Sequence, residues 1–315
     1  MQVFEEGDVR AALPWERLIE ELRSAFGSGC QQPLRTVHSV KVPGEPDATF
    51  LMMPAWNEGG KLAVKILFIV PGNGRRNLPA VNATVMVFDA VKGAPEAVLE
   101  GGELTARRTV ATSALAADAM ARRNARTLLV IGAGTIASNL VPAHRAIRDY
   151  DRVWIWARDA DKGAALAARF DAAVSAVTDL DAAVPDADVI SAGTLANEPL
   201  IKGALLKPGT HLDLVGGFLP TMREADSDAI RRAAGAIVVD TWDGVLAEAG
   251  DIIQPIKEGA ITRQDIAGDL AALCKGEIKG RNDDAKITVF KSVGAAIEDF
   301  AAARLAVASN QTGRQ

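Results

Sequence analysis

The chain has 315 residues, of which 49% are hydrophobic, and its 35 Lys and Arg against 40 Asp and Glu give a formal net charge of -5. This length allows two domains, and the mixture of apolar and charged residues is typical of a soluble globular protein and excludes extensive disorder. The net negative charge argues against a protein that binds nucleic acid by neutralising phosphates.

The sequence does not show the patterns expected for export, membrane insertion or metal binding. The acidic start of the chain does not fit a secretory signal, which needs a basic region before an apolar stretch. The most apolar run, 62–70, contains Lys65 and is far below the roughly 20 residues that span a bilayer. The two cysteines and three histidines lack metal-site spacing, so we expect no metal, reduced thiols and a cytoplasmic protein.

Pro and Gly recur throughout the first third of the chain, and the short runs between them are rich in residues that favour β-strands. Runs 62–70 and 83–89 predict strands, and a turn at 93–95 predicts a hairpin with 96–100. The Ala-rich stretch from Leu104 to Arg123 has apolar residues at helical spacing and predicts a helix that links two domains.

After Thr127, short apolar runs alternate with segments of helix length. Five runs predict strands: 128–131, 153–156, 188–192, 211–215 and 236–240. Nearly continuous apolar strands separated by helices predict a parallel sheet that is covered on both faces. At the end of the chain, Ser292 to Ser309 predicts an amphipathic helix that returns to the first domain.

A glycine-rich loop follows the first of these strands and opens a helix. Its Gly-x-Gly-x-x-Ala pattern allows a tight turn, close approach of the backbone to a pyrophosphate, and close packing of helix on strand. The context of strand, loop, helix and second strand predicts a dinucleotide site. The cofactor-binding candidates here are Gly132, Ala133, Gly134, Thr135 and Ile136, and Ala137 is the packing residue.

The end of the second strand distinguishes the two nicotinamide cofactors. NAD-binding proteins usually carry an acid here for the ribose, whereas this chain places Arg158 where a 2′-phosphate would lie, with Lys162 nearby. We therefore expect NADP(H) in preference to NAD(H), the alternative being that Arg158 is simply a solvated residue. The candidates are Ala157, Arg158, Asp159 and Lys162.

Four motifs in order resemble the ornithine cyclodeaminase/mu-crystallin family: Leu104–Thr109, Gly132–Ala137, Gly216–Asp226 and Val289–Gly294. The resemblance implies an α/β fold with a Rossmann domain and a mixed α+β domain formed by both chain ends, which normally makes a homodimer. We expect a substrate-binding and dimerisation domain at 1–112 and 291–315, and an NAD(P)-binding Rossmann domain at 113–290.

Three cations, Arg35, Lys65 and Arg108, look like the family's substrate-binding set. An amino or imino acid needs a grip on its carboxylate, which Arg supplies, and a lysine within an apolar strand is costly unless it meets an anion. We expect Lys65 and Arg108 to be catalytic. The alternatives are that Lys65 lies on an edge strand facing solvent and that the two arginines form surface or interface salt bridges.

The resemblance also implies positions near the cofactor. Thr84 matches a polar position near nicotinamide and substrate, although a β-branched strand residue explains it almost as well. We interpret Glu248, Gly250 and Asp251 as structural. The remaining cofactor-facing candidates are Arg108, Thr194, Leu195, Val215, Lys291 and Ser292.

One departure from the family pattern bears on the reaction. Ornithine cyclodeaminases and related alanine dehydrogenases carry an aspartate in the loop where this chain has Phe218, which can neither accept a proton nor hold an ammonium. We therefore expect NADPH-dependent reduction of a cyclic ketimine carboxylate, either Δ1-pyrroline-2-carboxylate to L-proline or Δ1-piperideine-2-carboxylate to L-pipecolate. The alternatives are an ornithine cyclodeaminase, an alanine-type amino-acid dehydrogenase, an opine-type synthase and an NADPH-regulated small-ligand binding protein.

Overall fold

A computed structural model describes residues 1–312, which fall into two compact units. Unit 1 contains residues 1–108 and the chain from Ala295 onward, and unit 2 contains residues 109–294. The expected domain boundaries, after 112 and after 290, each lie four residues from these. Residues 313–315 of the expected first domain lie outside the described residues.

Unit 1 is built on a six-stranded sheet. Its strands are β1 (Gln2–Phe4), β2 (Thr36–Val40), β3 (Ala48–Trp56), β4 (Lys61–Ile69), β5 (Val81–Asp89) and β6 (Pro95–Glu100). The spatial order is β1-β6-β5-β4-β3-β2, antiparallel except for the β1–β6 pair. The helices are α1 (Glu6–Ala12), α2 (Trp15–Ser28), the first part of α3 (Gly101–Met120) and α11 (Ala296–Thr312), and Pro71–Arg76 forms a 3-10 turn.

The two faces of this sheet differ. Residues directly opposite each other in the register share a face, and α11 packs on the face that carries Leu51, Met53 and Lys65. The other face is apolar but only half-buried or exposed in this chain. It carries Met52, Pro54, Trp56, Leu62, Val64, Ile66, Phe68, Met86 and Phe88. We call this second face the open face.

Helix α11 is not amphipathic, which corrects the expectation for Ser292–Ser309. It begins at Ala296, and from there to Val307 every residue is buried except the half-buried Arg304. The reason is that α11 packs against β3, β4 and β5 on one side and against α1 and α2 on another. Its many alanines allow this close approach on several sides, so no face is left for solvent.

Unit 2 is a doubly wound sheet of eight parallel strands, as expected. The strands are β7 (Thr127–Ile131), β8 (Arg152–Trp156), β9 (Val174–Ala176), β10 (Val189–Ala192), β11 (His211–Leu214), β12 (Ile237–Val239), β13 (Ile266–Asp269) and β14 (Thr288–Lys291). Their order is β13-β12-β14-β11-β10-β7-β8-β9. The direction of winding reverses between β7 and β10, which is where such sheets bind ligands.

Helices connect these strands. They are α4 (Thr135–Arg145), α5 (Ala160–Ala167), α6 (Leu180–Ala183), α7 (Ser227–Arg232), α8 (Trp242–Glu248), α9 (Gly250–Lys257) and α10 (Leu270–Lys275), with 3-10 turns at Val184–Asp186, Gly203–Leu205 and Arg263–Asp265. All residues of β7, β10, β11 and β14 are buried, as in a sheet covered on both faces. Among residues 1–312, no helix combines the length and apolarity needed to cross a bilayer.

Candidate functional site

The glycine-rich loop of unit 2 has the geometry of a pyrophosphate site. Gly132 has φ 124°, and a Cβ there would lie 2.9 Å from the Gly193 carbonyl oxygen, so only glycine fits. At Gly134, which precedes α4, a Cβ would meet no atom within 4 Å, so its surroundings are open. The first N–H groups of α4 have no acceptor within the helix and stand ready for an anion. The loop therefore fits the pyrophosphate of a dinucleotide.

The edge beyond β8 presents two exposed cations, Arg158 and Lys162. Asp159, between them, is the N-cap of α5, where its Oδ1 accepts the Lys162 backbone N–H at 3.3 Å. The Lys162 Nζ lies 3.7 Å from Asp159 Oδ2. The carboxylate of Asp159 is thus engaged with its own helix, and Arg158 remains the cation that best suits a phosphate at this edge.

Exposed apolar side chains follow two neighbouring strands. Leu195, after β10, is 68% exposed, and Phe218, after β11, is 36% exposed. Val215, in contrast, is buried, and its backbone N–H donates to the Ala192 carbonyl at 2.9 Å. The two exposed residues follow the carboxyl ends of adjacent parallel strands, where a doubly wound sheet binds its ligand.

Beneath these loops lies a buried group of two acids and a lysine. Glu224 accepts the Thr194 N–H and hydroxyl, both at 2.7 Å, and the Gly216 N–H at 2.9 Å. Asp251 Oδ1 accepts the N–H groups of Glu224 and Ala225, and its Oδ2 lies 3.0 Å from Lys291 Nζ. Burial raises the pKa of Glu224 to about 7, against the attraction of Lys291.

This group changes the interpretation of Lys291. Its ammonium is fully buried in an internal ion pair with Asp251, so the side chain supports the loops from below. Ser292 is also buried, and its backbone N–H donates to the Leu214 carbonyl at 3.3 Å. The cofactor contacts expected for Lys291 and Ser292 stay predictions. Glu224 was missed because its motif gave no indication of what the acid contacts.

Unit 1 holds a second buried charged group, centred on Lys65. Because β4 lies between β3 and β5 and Lys65 is 1% exposed, the solvent-facing edge alternative is wrong. Its Nζ lies 2.9 Å from Asp299 Oδ1 and 2.8 Å from Oδ2. Burial, together with the charge of Arg108, lowers the pKa of Lys65 to about 8, against the opposing attraction of Asp299.

Arg108 belongs to the same group and is buried, not on the surface. Its Nε donates to Asp299 Oδ1 at 3.0 Å and its Nη1 to Glu298 Oε2 at 2.5 Å. Asp299 thus binds both cations. The sequence reasoning missed the two acids because α11 was expected to have a solvated face, on which acids need no explanation.

The other two residues of the expected substrate set lie elsewhere in unit 1. Half-buried Arg35 immediately precedes β2, two strands from β4. Thr84 is exposed and pairs with Ile66 on the open face, whereas Lys65 pairs with Val85 on the face under α11. Successive strand residues point to opposite faces, so Thr84 and Lys65 are not brought together within unit 1.

Within residues 1–312, no three His, Cys, Asp or Glu side chains are grouped so that they could hold a metal ion. The described residues offer an anion-binding glycine loop in unit 2 and a buried lysine with a lowered pKa in unit 1. A lysine of this kind can exchange a proton near neutral pH.

Comparison with known proteins gives consistent matches over the whole chain. A model of the ornithine cyclodeaminase/mu-crystallin family matches residues 4–313. A Δ1-pyrroline-2-carboxylate reductase of Paracoccus denitrificans is 37% identical over 303 residues, which cover 95% of this chain and 94% of that protein.

Solved structures extend the comparison to the fold. The Δ1-pyrroline-2-carboxylate reductase of Thermococcus litoralis, in complex with NADH and L-proline, is 32% identical, with a TM-score of 0.91 over 100% of this chain and 98% of that chain. An archaeal alanine dehydrogenase dimer with bound NAD is 25% identical, with a TM-score of 0.89 over 100% and 97% of the respective chains.

Proposed function

This chain belongs to the ornithine cyclodeaminase/mu-crystallin family, and we propose that it reduces Δ1-pyrroline-2-carboxylate to L-proline with a nicotinamide cofactor. The proteins similar to this chain include reductases of this imine, and the structure of one of them was solved with NADH and L-proline. The observation that carries the proposal is the buried Lys65, whose ammonium has a pKa of about 8 beside Arg108.

Lys65 is the proton donor in this proposal. Reduction of a C=N bond adds a hydride to carbon and a proton to nitrogen, and the protonated iminium is the better hydride acceptor. The bound cofactor supplies the hydride. Lys65 Nζ gives its proton to the imine nitrogen, and the neutral amine regains one from solvent afterwards. Asp299, at 2.9 Å, holds the ammonium in place.

The substrate carboxylate is assigned to Arg108. Arg108 is fixed by Glu298 and Asp299, which orients its guanidinium without a further conformational cost. Arg35, two strands from β4, keeps only the role implied by family resemblance. Cofactor binding is assigned to the loop from Gly132 to Ile136, to Thr194 and Leu195 after β10, and to Val215 after β11. Thr84, Lys291 and Ser292 keep only the roles implied by family resemblance.

Phe218 favours reduction over cyclodeamination. A cyclodeaminase must handle an amine and release ammonia, for which a carboxylate in this loop is suited, whereas an exposed phenyl ring suits a flat apolar ring. A six-membered ring, as in Δ1-piperideine-2-carboxylate, fits the same chemistry. The proposal therefore includes both cyclic imines as substrates.

NADPH is the proposed cofactor, because exposed Arg158 and Lys162 lie at the edge beyond β8 while Asp159 caps α5. The similar reductase and alanine dehydrogenase were solved with NADH and with NAD. Replacing Arg158 with Ala should raise KM for NADPH by about tenfold or more and leave KM for NADH nearly unchanged. Equal effects on both cofactors would contradict the assignment.

A homodimer is proposed from the open face of unit 1. It is a broad apolar surface in this chain, and apolar patches of this kind usually mark interaction sites. The similar alanine dehydrogenase was solved as a dimer. Ile66→Asp, at the centre of the face, should shift the mass measured by light scattering to that of a monomer, and an unchanged mass would contradict the proposal.

The activity is tested with four substrate sets in parallel, by following NADPH oxidation for the first three and ammonia release for the fourth. They are Δ1-pyrroline-2-carboxylate, Δ1-piperideine-2-carboxylate, pyruvate with ammonia, and ornithine with NAD. Oxidation with a cyclic imine and no ammonia is expected. Turnover confined to pyruvate with ammonia, or ammonia release from ornithine, would replace the proposal with a dehydrogenase or a cyclodeaminase. Tight NADPH binding without any turnover would indicate a binding protein.

A further inference from the structure

A single buried acid joins two loops at the carboxyl-terminal edge of the unit 2 sheet. Glu224 Oε1 accepts the N–H and the hydroxyl of Thr194, and Oε2 accepts the N–H of Gly216. Thr194 follows β10 and Gly216 follows β11, which are neighbours in the sheet. The carboxylate therefore helps to set the distance between the two loops.

The loops are packed so closely that this distance has little freedom. A Cβ on Gly216 would lie 1.9 Å from the Thr194 carbonyl oxygen and 2.6 Å from Glu224 Oε1. A Cβ on Gly217 would lie 3.1 Å from Asp251 Oδ2 and 3.3 Å from Lys291 Nζ. Movement of Glu224 must therefore move both loops.

Glu224 is itself held in place. Its backbone N–H donates to Asp251 Oδ1 at 2.8 Å, and the other oxygen of Asp251 is paired with Lys291 at the end of β14. Since β14 lies next to β11, the network reaches three adjacent strand ends. All three charged residues are fully buried, so the arrangement is shielded from competing water.

We propose that Glu224 is a positioning residue for the nicotinamide half of the cofactor, because it sets where the loops after β10 and β11 present Leu195 and Phe218. This inference rests on the proposed function, in which these loops contact cofactor and substrate. In a doubly wound fold the pyrophosphate loop follows the first strand, β7, and the second half of the dinucleotide lies over the strands beyond the reversal, here β10 and β11.

Glu224→Gln tests the role with almost no change in volume. The two carboxylate oxygens accept hydrogen bonds from three donors. Gln replaces one of these oxygens with an NH2 group, which is itself a donor and cannot accept the hydrogen bond made there. Affinity for NADPH, titrated by fluorescence without any imine, should fall about tenfold or more. Amide hydrogen exchange at Thr194 and Gly216 should become faster.

Asp226→Asn is the matched control. Asp226 lies on the same segment, and its carboxylate accepts the N–H groups of Gly203 and Ala229 at 2.9 and 2.8 Å, and not those of Thr194 or Gly216. This variant should lower the midpoint of thermal unfolding and leave NADPH affinity at the wild-type value. Affinity of Glu224→Gln within about twofold of wild type, or an equal loss in Asp226→Asn, would overturn the proposal.

Thr194→Val keeps the proposal testable if Glu224→Gln does not fold. It removes one bond to Glu224, and Thr194→Ser retains that bond. Faster amide exchange at Gly216 in the Val variant alone is expected, because Glu224 is the residue that joins Gly216 to the Thr194 hydroxyl. Unchanged exchange at Gly216 would overturn the proposal. NADPH binding without ketimine turnover in the wild type would reject the proposed function separately.

Discussion

Each unit of this protein buries a lysine against an aspartate, and the two pairs differ in what else the aspartate contacts. In unit 1, Asp299 binds the side chains of Lys65 and Arg108. In unit 2, Asp251 binds Lys291 and also two backbone N–H groups of the segment that carries Glu224. The first acid holds two cationic side chains, and the second fixes the course of the main chain. In the proposed function, the pair in unit 1 serves the chemistry and the pair in unit 2 serves loop placement.

The largest difference is expected between the two lysines. Lys65→Met should lower kcat/KM for the cyclic imine by about 1,000-fold, in the range lost with a general acid, and leave NADPH affinity unchanged. Stopped-flow turnover and a fluorescence titration measure the two quantities. Wild-type turnover of a folded Lys65→Met protein would remove Lys65 from the mechanism.

Lys291→Met should give the opposite pattern. Leaving Asp251 without its cation should destabilise the protein by roughly 3–5 kcal/mol, in the range found when one partner of a buried pair is removed. In the fraction that folds, KM for NADPH should rise while kcat at saturating NADPH changes little. A selective loss of kcat would instead place Lys291 with Lys65 in the chemistry.

Asp299→Asn tests the unit 1 pair by changing its acid instead of its lysine. The amide retains one acceptor oxygen for two cations, so Lys65 and Arg108 both lose a charged partner. We expect kcat/KM to fall by about 100-fold with little effect on NADPH affinity, since one charge-assisted contact is worth about 1.5–3 kcal/mol. An unchanged kcat/KM would mean that Asp299 does not position either cation.

Much of unit 2 was predictable from sequence because its signals are local. The glycine loop has a fixed spacing, and all five strands predicted from apolar runs are present. Three strands, β9, β13 and β14, were not predicted.

The charged partners could not be predicted because they come from distant segments. Lys65 meets Asp299 across 234 residues of chain, and no spacing rule reports such a contact. The expectation of an amphipathic helix also concealed Glu298 and Asp299, since acids on such a helix usually face solvent. Thr84 shows a further limit. A strand's register decides which face each residue occupies, and it places Thr84 opposite Ile66.

The central claim, that Lys65 donates the proton, is tested most directly by the pH dependence of kcat/KM in the wild type and in Lys65→Arg. With a pKa near 8, the donor is lost as pH rises, so kcat/KM should fall about tenfold per unit above pH 8. The folded protein releases this proton near pH 8 and the unfolded chain near pH 10.5. Between these values the unfolded chain binds more protons, so the contribution of Lys65 to the free energy of unfolding rises with pH. The titration of Lys65 therefore does not unfold the protein, and unfolding does not explain the decline in kcat/KM.

In Lys65→Arg the guanidinium keeps its charge, so the decline above pH 8 should disappear while the overall rate is reduced. The same decline in both proteins would assign it to another group and contradict the account.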